Sequence, residues 1–294
     1  MAALPLFLLL FVLVVVARVV LSARRGADLG GPLSPELRAT ARTTGLWRLA
    51  GALTGIVAGV VAAYQGGLGR GLMLAAPLFA LCVLAGVLIG ELRLGTPSGE
   101  VRSAALEVRR VRDYVPRRLG VMVAAGAVVL AGVLVWTTAL GSADDMGRAG
   151  RSLARRCSAI TGESRGPWPG SFYTVPLAAL VLVGVLAAGI ALTRVVRRAR
   201  RSGDVAVDDA LRHSAAEAVT AAVGLLVAVP LAGVSGVAAS ALLGFSCAPA
   251  TWTVGGVVLL SLVPVALGLA AWCSAALLSP AQVGLRSRRV PVDR

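Results

Sequence analysis

The chain has 294 residues, of which 57% are hydrophobic, and its mean hydropathy of +0.84 excludes an ordinary soluble domain. Its net charge of +15 derives from 29 basic residues, all of them arginine. In a soluble protein this charge would indicate nucleic-acid binding. Here the arginines flank apolar segments, so we expect anionic lipid headgroups as partners and no nucleic acid.

Seven apolar segments are each long enough to cross a bilayer as a helix. They predict an all-α fold, a polytopic transmembrane bundle in which residues 1–294 form one integral membrane domain. None of the seven carries an acid, a lysine or a histidine at its centre, which argues against ion-coupled transport and intramembrane acid-base catalysis. The predicted spans are residues 4–21, 46–64, 72–90, 119–140, 175–192, 218–242 and 254–277.

Arginine placement predicts the orientation of the bundle. The loops after the first, third and fifth spans and the C-terminal tail are rich in arginine and share one face, which the positive-inside rule makes cytoplasmic. The N-terminus is then outside and the C-terminus inside. We expect the membrane to be a plasma membrane. The loop between spans four and five is an exception, because it is basic and yet lies on the predicted outside. Its arginines are Arg148, Arg151, Arg155, Arg156 and Arg165.

Small residues and prolines mark candidate helix contacts. Gly51, Gly55 and Gly59 recur every four residues and form one stripe, where either a second copy of the chain or a neighbouring helix of the same chain can approach closely. Pro230 and Pro264 lie inside the sixth and seventh spans. They indicate either simple kinks or the broken helices that line substrate sites in some transporters.

The four cysteines divide into two pairs. Cys82 and Cys273 lie inside spans and are expected to pack as small apolar residues. Cys157 and Cys247 lie in predicted outer loops, where disulfides persist. We predict a disulfide between them, which by chain-entropy arguments contributes about 4 kcal/mol.

One cluster of titratable residues has helical spacing. Asp209, His213 and Glu217 follow one another at intervals of four, with Asp208 adjacent, so a helix would carry them on one cytoplasmic face. Such a face could hold a metal ion or a pyrophosphate-bound cation. The neighbouring Arg212 and the lack of a second histidine favour a solvated entry helix to the sixth span. At the inner end of the third span, Glu91 is expected to pair with a nearby arginine.

Two cytoplasmic stretches carry a resemblance to a known group of proteins. Residues 109–119 (RRVRDYVPRRL) and 208–214 (DDALRHS), together with the GPWPG run at 166–170 and the order of the spans, resemble uncharacterised multi-pass integral membrane proteins of high-GC actinobacteria. The resemblance covers most of the chain. It implies an envelope protein of such a bacterium and no catalytic residues.

The sequence therefore favours a non-enzymatic membrane protein with a structural, scaffolding or accessory role. We predict no catalytic residue, no metal and no cofactor, and a membrane-protein partner or a second copy as the interaction partner. One alternative is a transporter or permease component for a neutral or lipophilic substrate. Another is a membrane-embedded lipid-modifying enzyme that uses the Asp208, Asp209, His213 and Glu217 cluster.

Overall fold

The fold is described by a computed structural model over residues 35–65, 67–93, 110–197 and 205–278, and it confirms the prediction of an all-α helical bundle. A 3-10 turn, Gly67–Gly69, joins the first two helices, and the only strands in the described residues are β1 (Leu153–Arg156) and β2 (Gly162–Arg165). The helices are α1 (Pro35–Gln65), α2 (Arg70–Arg93), α3 (Val111–Tyr114), α4 (Arg117–Leu140), α5 (Ser171–Arg197), α6 (Val205–Leu243) and α7 (Ala250–Leu278).

Six stretches of helix are long and apolar enough to cross a membrane. Each contains one of the predicted spans from the second to the seventh, so this part of the chain is a multi-pass membrane protein. The predicted first span, residues 4–21, lies outside the described residues. The six stretches are Arg42–Gln65, Gly67–Arg93, Arg117–Leu140, Ser171–Arg197, Leu211–Leu243 and Ala250–Leu277.

Helix α6 occupies the centre of the bundle. In its most apolar stretch 72% of the residues are buried, against 39% or fewer in the other five spans. It contacts α2, α4, α5 and α7. Small side chains make this possible, since without a hydrophobic driving force between helices in lipid, close backbone approach supplies much of the packing. Its fully buried small residues include Ala215, Ala216, Ala221, Ala222, Ala228 and Ala238.

The glycine stripe of α1 packs against α2 of the same chain. A Cβ atom added to any of its glycines would crowd backbone carbonyl oxygens of α2, so this face is filled within the chain and is not available to a second copy. The separations from that Cβ would be 2.6 Å at Gly51 (to Cys82), 2.9 Å at Gly55 (to Phe79) and 3.2 Å at Gly59 (to Ala75).

Both proline-bearing helices continue through their prolines. Pro230 is buried inside α6 and Pro264 is exposed on α7, and helical structure is unbroken at each. The nearby hydroxyls do not converge either, since Ser235 is buried, whereas Ser261 is exposed and donates to the Val258 carbonyl at 2.7 Å. The broken-helix geometry that motivated the permease alternative is thus not found in α6 or α7.

The two ends of the bundle differ in construction. One end bears a small folded cap, formed by residues 141–170 together with the loop 244–249, and β1 and β2 pair antiparallel within it. The opposite end, called the polar end below, bears α3 and the start of α6. The cap docks through Trp168, which is fully buried and donates its indole N–H to the Thr137 carbonyl of α4 at 2.8 Å.

Candidate functional site

The predicted titratable cluster lies at the polar end on the first turns of α6. Asp209, His213 and Glu217 are all half-buried, so this face of the helix is not simply solvated; the side chain of Asp208 lies outside the described set. His213 Nδ1 lies 2.9 Å from the backbone carbonyl of Asp209, one turn earlier. That carbonyl can only accept, so the contact places the proton on Nδ1.

Tyr114 brings the short helix α3 onto this cluster. Its hydroxyl donates to Asp209 Oδ1 at 3.3 Å, and its ring lies 4.9 Å from the His213 ring. Tyr114 belongs to the segment between α2 and α4, so a polar side chain from that segment does face the cluster. This meeting of a phenol, a carboxylate and an imidazole was not predicted from the sequence, where Tyr114 reads as an interfacial aromatic residue.

Arg212 is the fully buried member of the polar end. Its Nη1 donates to the carbonyls of Val195 and Val196, at 3.1 Å and 2.8 Å. Those carbonyls lie in the last turn of α5, where no intrahelical donor remains and positive charge is favoured by the helix dipole. Arg212 therefore fastens the end of α5 to α6, and its charge is committed to holding the fold.

A second group of charged side chains near the polar end comes from three different helices. The carboxylates of Glu91 on α2 and Glu217 on α6 both act electrostatically on the Arg48 guanidinium of α1. Arg93, a candidate partner of Glu91, instead lies over the Trp47 ring at 5.5 Å. One feature of the sequence indicates this arrangement, because Arg48, Glu91 and Glu217 each lie at the end of a predicted span that faces the polar end of the bundle.

The ligand atoms of Asp209, His213 and Glu217 do not gather around a common point as metal ligands would. Within the described ranges, three metal-binding side chains come that close at one place in the cap, where ligand atoms of Cys157, Glu163 and Cys247 lie within 4.8 Å of one another. The two sulfurs there are bonded to each other and offer no thiolate, the form that binds metal.

The cap contains the cysteine pair predicted from the sequence. Cys157 and Cys247 form a disulfide with their Cα atoms 5.8 Å apart, joining the hairpin to the loop before α7. Glu163 makes a second connection between the same two segments, because it accepts the Ser246 N–H at 2.9 Å and hydroxyl at 2.8 Å. These hydrogen bonds, with that of Arg165, hold the pKa of Glu163 below its usual range.

Several basic residues of the cap contact carboxylates of the cap or aromatic rings of the adjoining helices. Asp144 receives the Arg148 Nε at 2.9 Å and lies 3.8 Å from Arg151 Nη1. Burial alone would raise the pKa of Asp144, but hydrogen bonds from Arg148 and Met146 and the Arg148 charge outweigh it and lower the pKa. A further cation lies on an aromatic ring, since the Arg155 guanidinium sits 5.2 Å from the Trp252 centroid. These contacts explain how a strongly basic loop can fold compactly.

No family model matches the chain, and no curated protein or solved structure matches it either.

Proposed function

We propose that the chain is a non-enzymatic multi-pass protein of the bacterial plasma membrane, with a structural or accessory role, and that the cap makes its contact with a partner. Following the sequence resemblance, we place it in the envelope of a high-GC actinobacterium. The supporting observation is that charged groups at the polar end are used to hold helices together, as in the contact of Arg212 with α5.

The cap has the properties of a contact surface. It is stapled by the Cys157–Cys247 disulfide, yet Ile160 at the hairpin tip is 94% exposed and Met146 is 71% exposed. Both residues lie outside the apolar spans, so lipid tails do not cover them. Rigid segments that present apolar side chains to water lose little conformational entropy on binding, which favours association with another protein or a second copy.

The outward orientation of the cap rests on two arguments. The positive-inside rule places the loops on the other side of the bundle in the cytoplasm. A structural disulfide also requires an oxidising compartment, which the outer side of a bacterial plasma membrane provides. Labelling of reduced Cys157 by a membrane-impermeant reagent tests this in intact cells. Labelling only after the cytoplasm is opened would overturn the orientation.

Site-specific crosslinking tests the contact role. A photo-crosslinking amino acid replacing Ile160 is expected to give an adduct of discrete mass in cells, and the same residue at the lipid-facing Val257, which is 55% exposed, is expected to give none. Loss of the adduct in a Cys157→Ser, Cys247→Ser variant would show that the rigid cap is required. Absence of any adduct at Ile160, with solute flux through proteoliposomes of the purified chain, would favour the permease alternative.

One observation keeps the lipid-modifying enzyme as a second candidate, namely the approach of Tyr114 to Asp209 and His213. If this cluster performs catalysis, His213→Ala should change the lipid composition of the membrane without altering the folded state. Under the leading proposal, lipids extracted from cells carrying that variant are the same by mass spectrometry as those from the parent. The circular dichroism of the purified variant serves as the folding control.

A further inference from the structure

Two arginines converge on one aromatic ring where the cap meets the bundle. The Arg70 and Arg151 guanidinium carbons lie 4.8 Å and 4.0 Å from the centroid of Phe172. Arg70 is the first residue of α2, Arg151 precedes β1, and Phe172 is the second residue of α5. Three separate segments of the chain therefore bring two guanidinium groups to the same ring. The two guanidinium carbons cannot be farther apart than the sum of their distances to the ring centroid.

Within the described residues, the protein balances little of this positive charge. The carboxylate of Asp144 lies 3.8 Å from Arg151, and it already binds Arg148 at 2.9 Å. Arg70 forms no ion pair with any carboxylate in the described part of the chain. The Phe172 ring attracts both guanidinium groups, but a ring quadrupole does not neutralise a charge.

The two guanidinium groups also have hydrogen-bond donors without a partner among the described residues. The Nε atoms of Arg70 and Arg151 are both buried, and neither has a hydrogen-bond partner among the described residues. Buried donors are normally satisfied by protein or by a bound group. An acceptor with several oxygens that reaches both guanidinium groups would supply the missing hydrogen bonds and relieve the repulsion between the charges.

We propose that Arg70 and Arg151, positioned by Phe172, bind a phosphate group. The planar fork of arginine donors matches the geometry of phosphate oxygens, and charge-assisted hydrogen bonds of this kind are the strong ones. The occupant is the phosphate of an anionic phospholipid in the leaflet on the cap side, because Arg70 and Phe172 lie where two spans begin, at the depth of the headgroups. This site is separate from the arginine loops of the opposite face.

The test uses the full chain in nanodiscs of phosphatidylcholine with and without phosphatidylglycerol. Native mass spectrometry of the released protein counts the phosphatidylglycerol molecules retained. Arg70→Gln and Arg151→Gln are each expected to lower the affinity for phosphatidylglycerol about tenfold, and Arg70→Lys, which keeps the charge but loses the fork, by less. Arg156→Gln is the matched control, because Arg156 is an exposed arginine of β1 with no cation-π contact to the rings of the described residues.

The outcomes separate the sources of the phosphate. Loss of retained phosphatidylglycerol in the Arg70 and Arg151 variants but not in Arg156→Gln supports the proposal. Inorganic phosphate binding in pure phosphatidylcholine nanodiscs, with the same dependence on Arg70 and Arg151, would overturn the lipid as the occupant. Equal retention in all variants, or a protein carboxylate crosslinked at the site, would overturn the proposal itself. An intact Cys157–Cys247 disulfide on a non-reducing gel verifies that each variant has folded.

Discussion

The cap and the polar end hold the bundle together in different ways. The cap uses a covalent bond between Cys157 and Cys247 and ion pairs between half-exposed arginines and partly buried carboxylates, with Trp168 as its buried anchor. The polar end uses no disulfide in the described residues and relies on buried side chains such as Arg212 that bind backbone carbonyls of another helix. The cap can therefore be loosened locally, whereas a change at Arg212 acts on helix packing.

Arginine residues illustrate this difference between the cap and the polar end. Four of the cap arginines, Arg148, Arg151, Arg155 and Arg165, are stacked on aromatic rings or paired with carboxylates, and Arg148 and Arg165 remain 46% exposed. Arg212 at the polar end is completely buried. Exposed ion pairs contribute little to stability, while removal of a buried charged donor strands its acceptors, so equivalent substitutions should have unequal effects at the two ends.

The largest expected effect comes from opening the disulfide. Replacing Cys157 and Cys247 by serine removes a crosslink with a sequence separation of 90 residues, which by the chain-entropy model lowers the stability against complete unfolding by about 4 kcal/mol. The cap, which the bond ties together, is then expected to open more easily. Hydrogen exchange should accelerate in residues 141–170 and stay unchanged in 205–217. The control is Cys82→Ala, which removes a free thiol. Equal acceleration at both ends would refute the independence of the cap.

Substitution of Arg212 should have the opposite effect and loosen the polar end rather than the cap. Arg212→Met keeps much of the apolar stem but removes the donors to Val195 and Val196, which is expected to cost about 1.5–3 kcal/mol because hydrogen bonds from charged groups are involved. Denaturant unfolding in detergent measures the loss. Arg197→Met, at the exposed end of α5, is the matched control. If the two variants lose equal stability, burial of Arg212 does not explain the loss.

A smaller effect is expected where the cap is anchored. Trp168→Phe removes the indole donor to the Thr137 carbonyl and is expected to destabilise the docking of the cap by about 1–3 kcal/mol, since that buried acceptor loses its partner. Trp272→Phe is the control, because Trp272 is 45% exposed on α7. Exchange of the amides in 141–170 reports on docking, and an unchanged rate in Trp168→Phe would contradict the anchoring role.

The spans and the cysteine pair could be predicted because each depends on information that is linear in the chain. Apolar length alone predicts the six spans found in the described residues. Counting those spans places Cys157 and Cys247 on the same side, and two cysteines on one side have few other partners when the remaining two, Cys82 and Cys273, lie inside spans. The glycine stripe could also be predicted from the sequence, although its spacing left open whether α2 or a second copy of the chain would pack against it.

The polar end could not be predicted in the same way, because its contacts depend on how helices rotate against one another. Arg212 reads as a loop-side charge next to the predicted span 218–242, but α6 begins at Val205 and carries it into the packed region. The contact of Tyr114 with Asp209 joins residues 95 positions apart. Local spacing identified Asp209 and His213 as neighbours and contained nothing about the helix that would face them.

The smallest expected effect is the response of the cap to acid. The pKa values of Asp144 and Glu163 are lowered in the folded cap by their hydrogen bonds and nearby arginines. Their contribution to stability is therefore complete above the unfolded pKa values of about 4 and is lost as the pH falls through the lower folded values. Hydrogen exchange of residues 141–170 should accelerate below about pH 4.

Neutral variants determine whether these two carboxylates cause the acid response. Asp144→Asn and Glu163→Gln should each loosen the cap at neutral pH and flatten its dependence on acid, because the group that would be protonated is already uncharged. Asp145→Asn is the control, since Asp145 is exposed and forms no ion pair with the described residues. The disulfide persists in acid, so the cap should loosen without detaching. A cap that loosens equally in all three variants would show that other groups govern its response to pH.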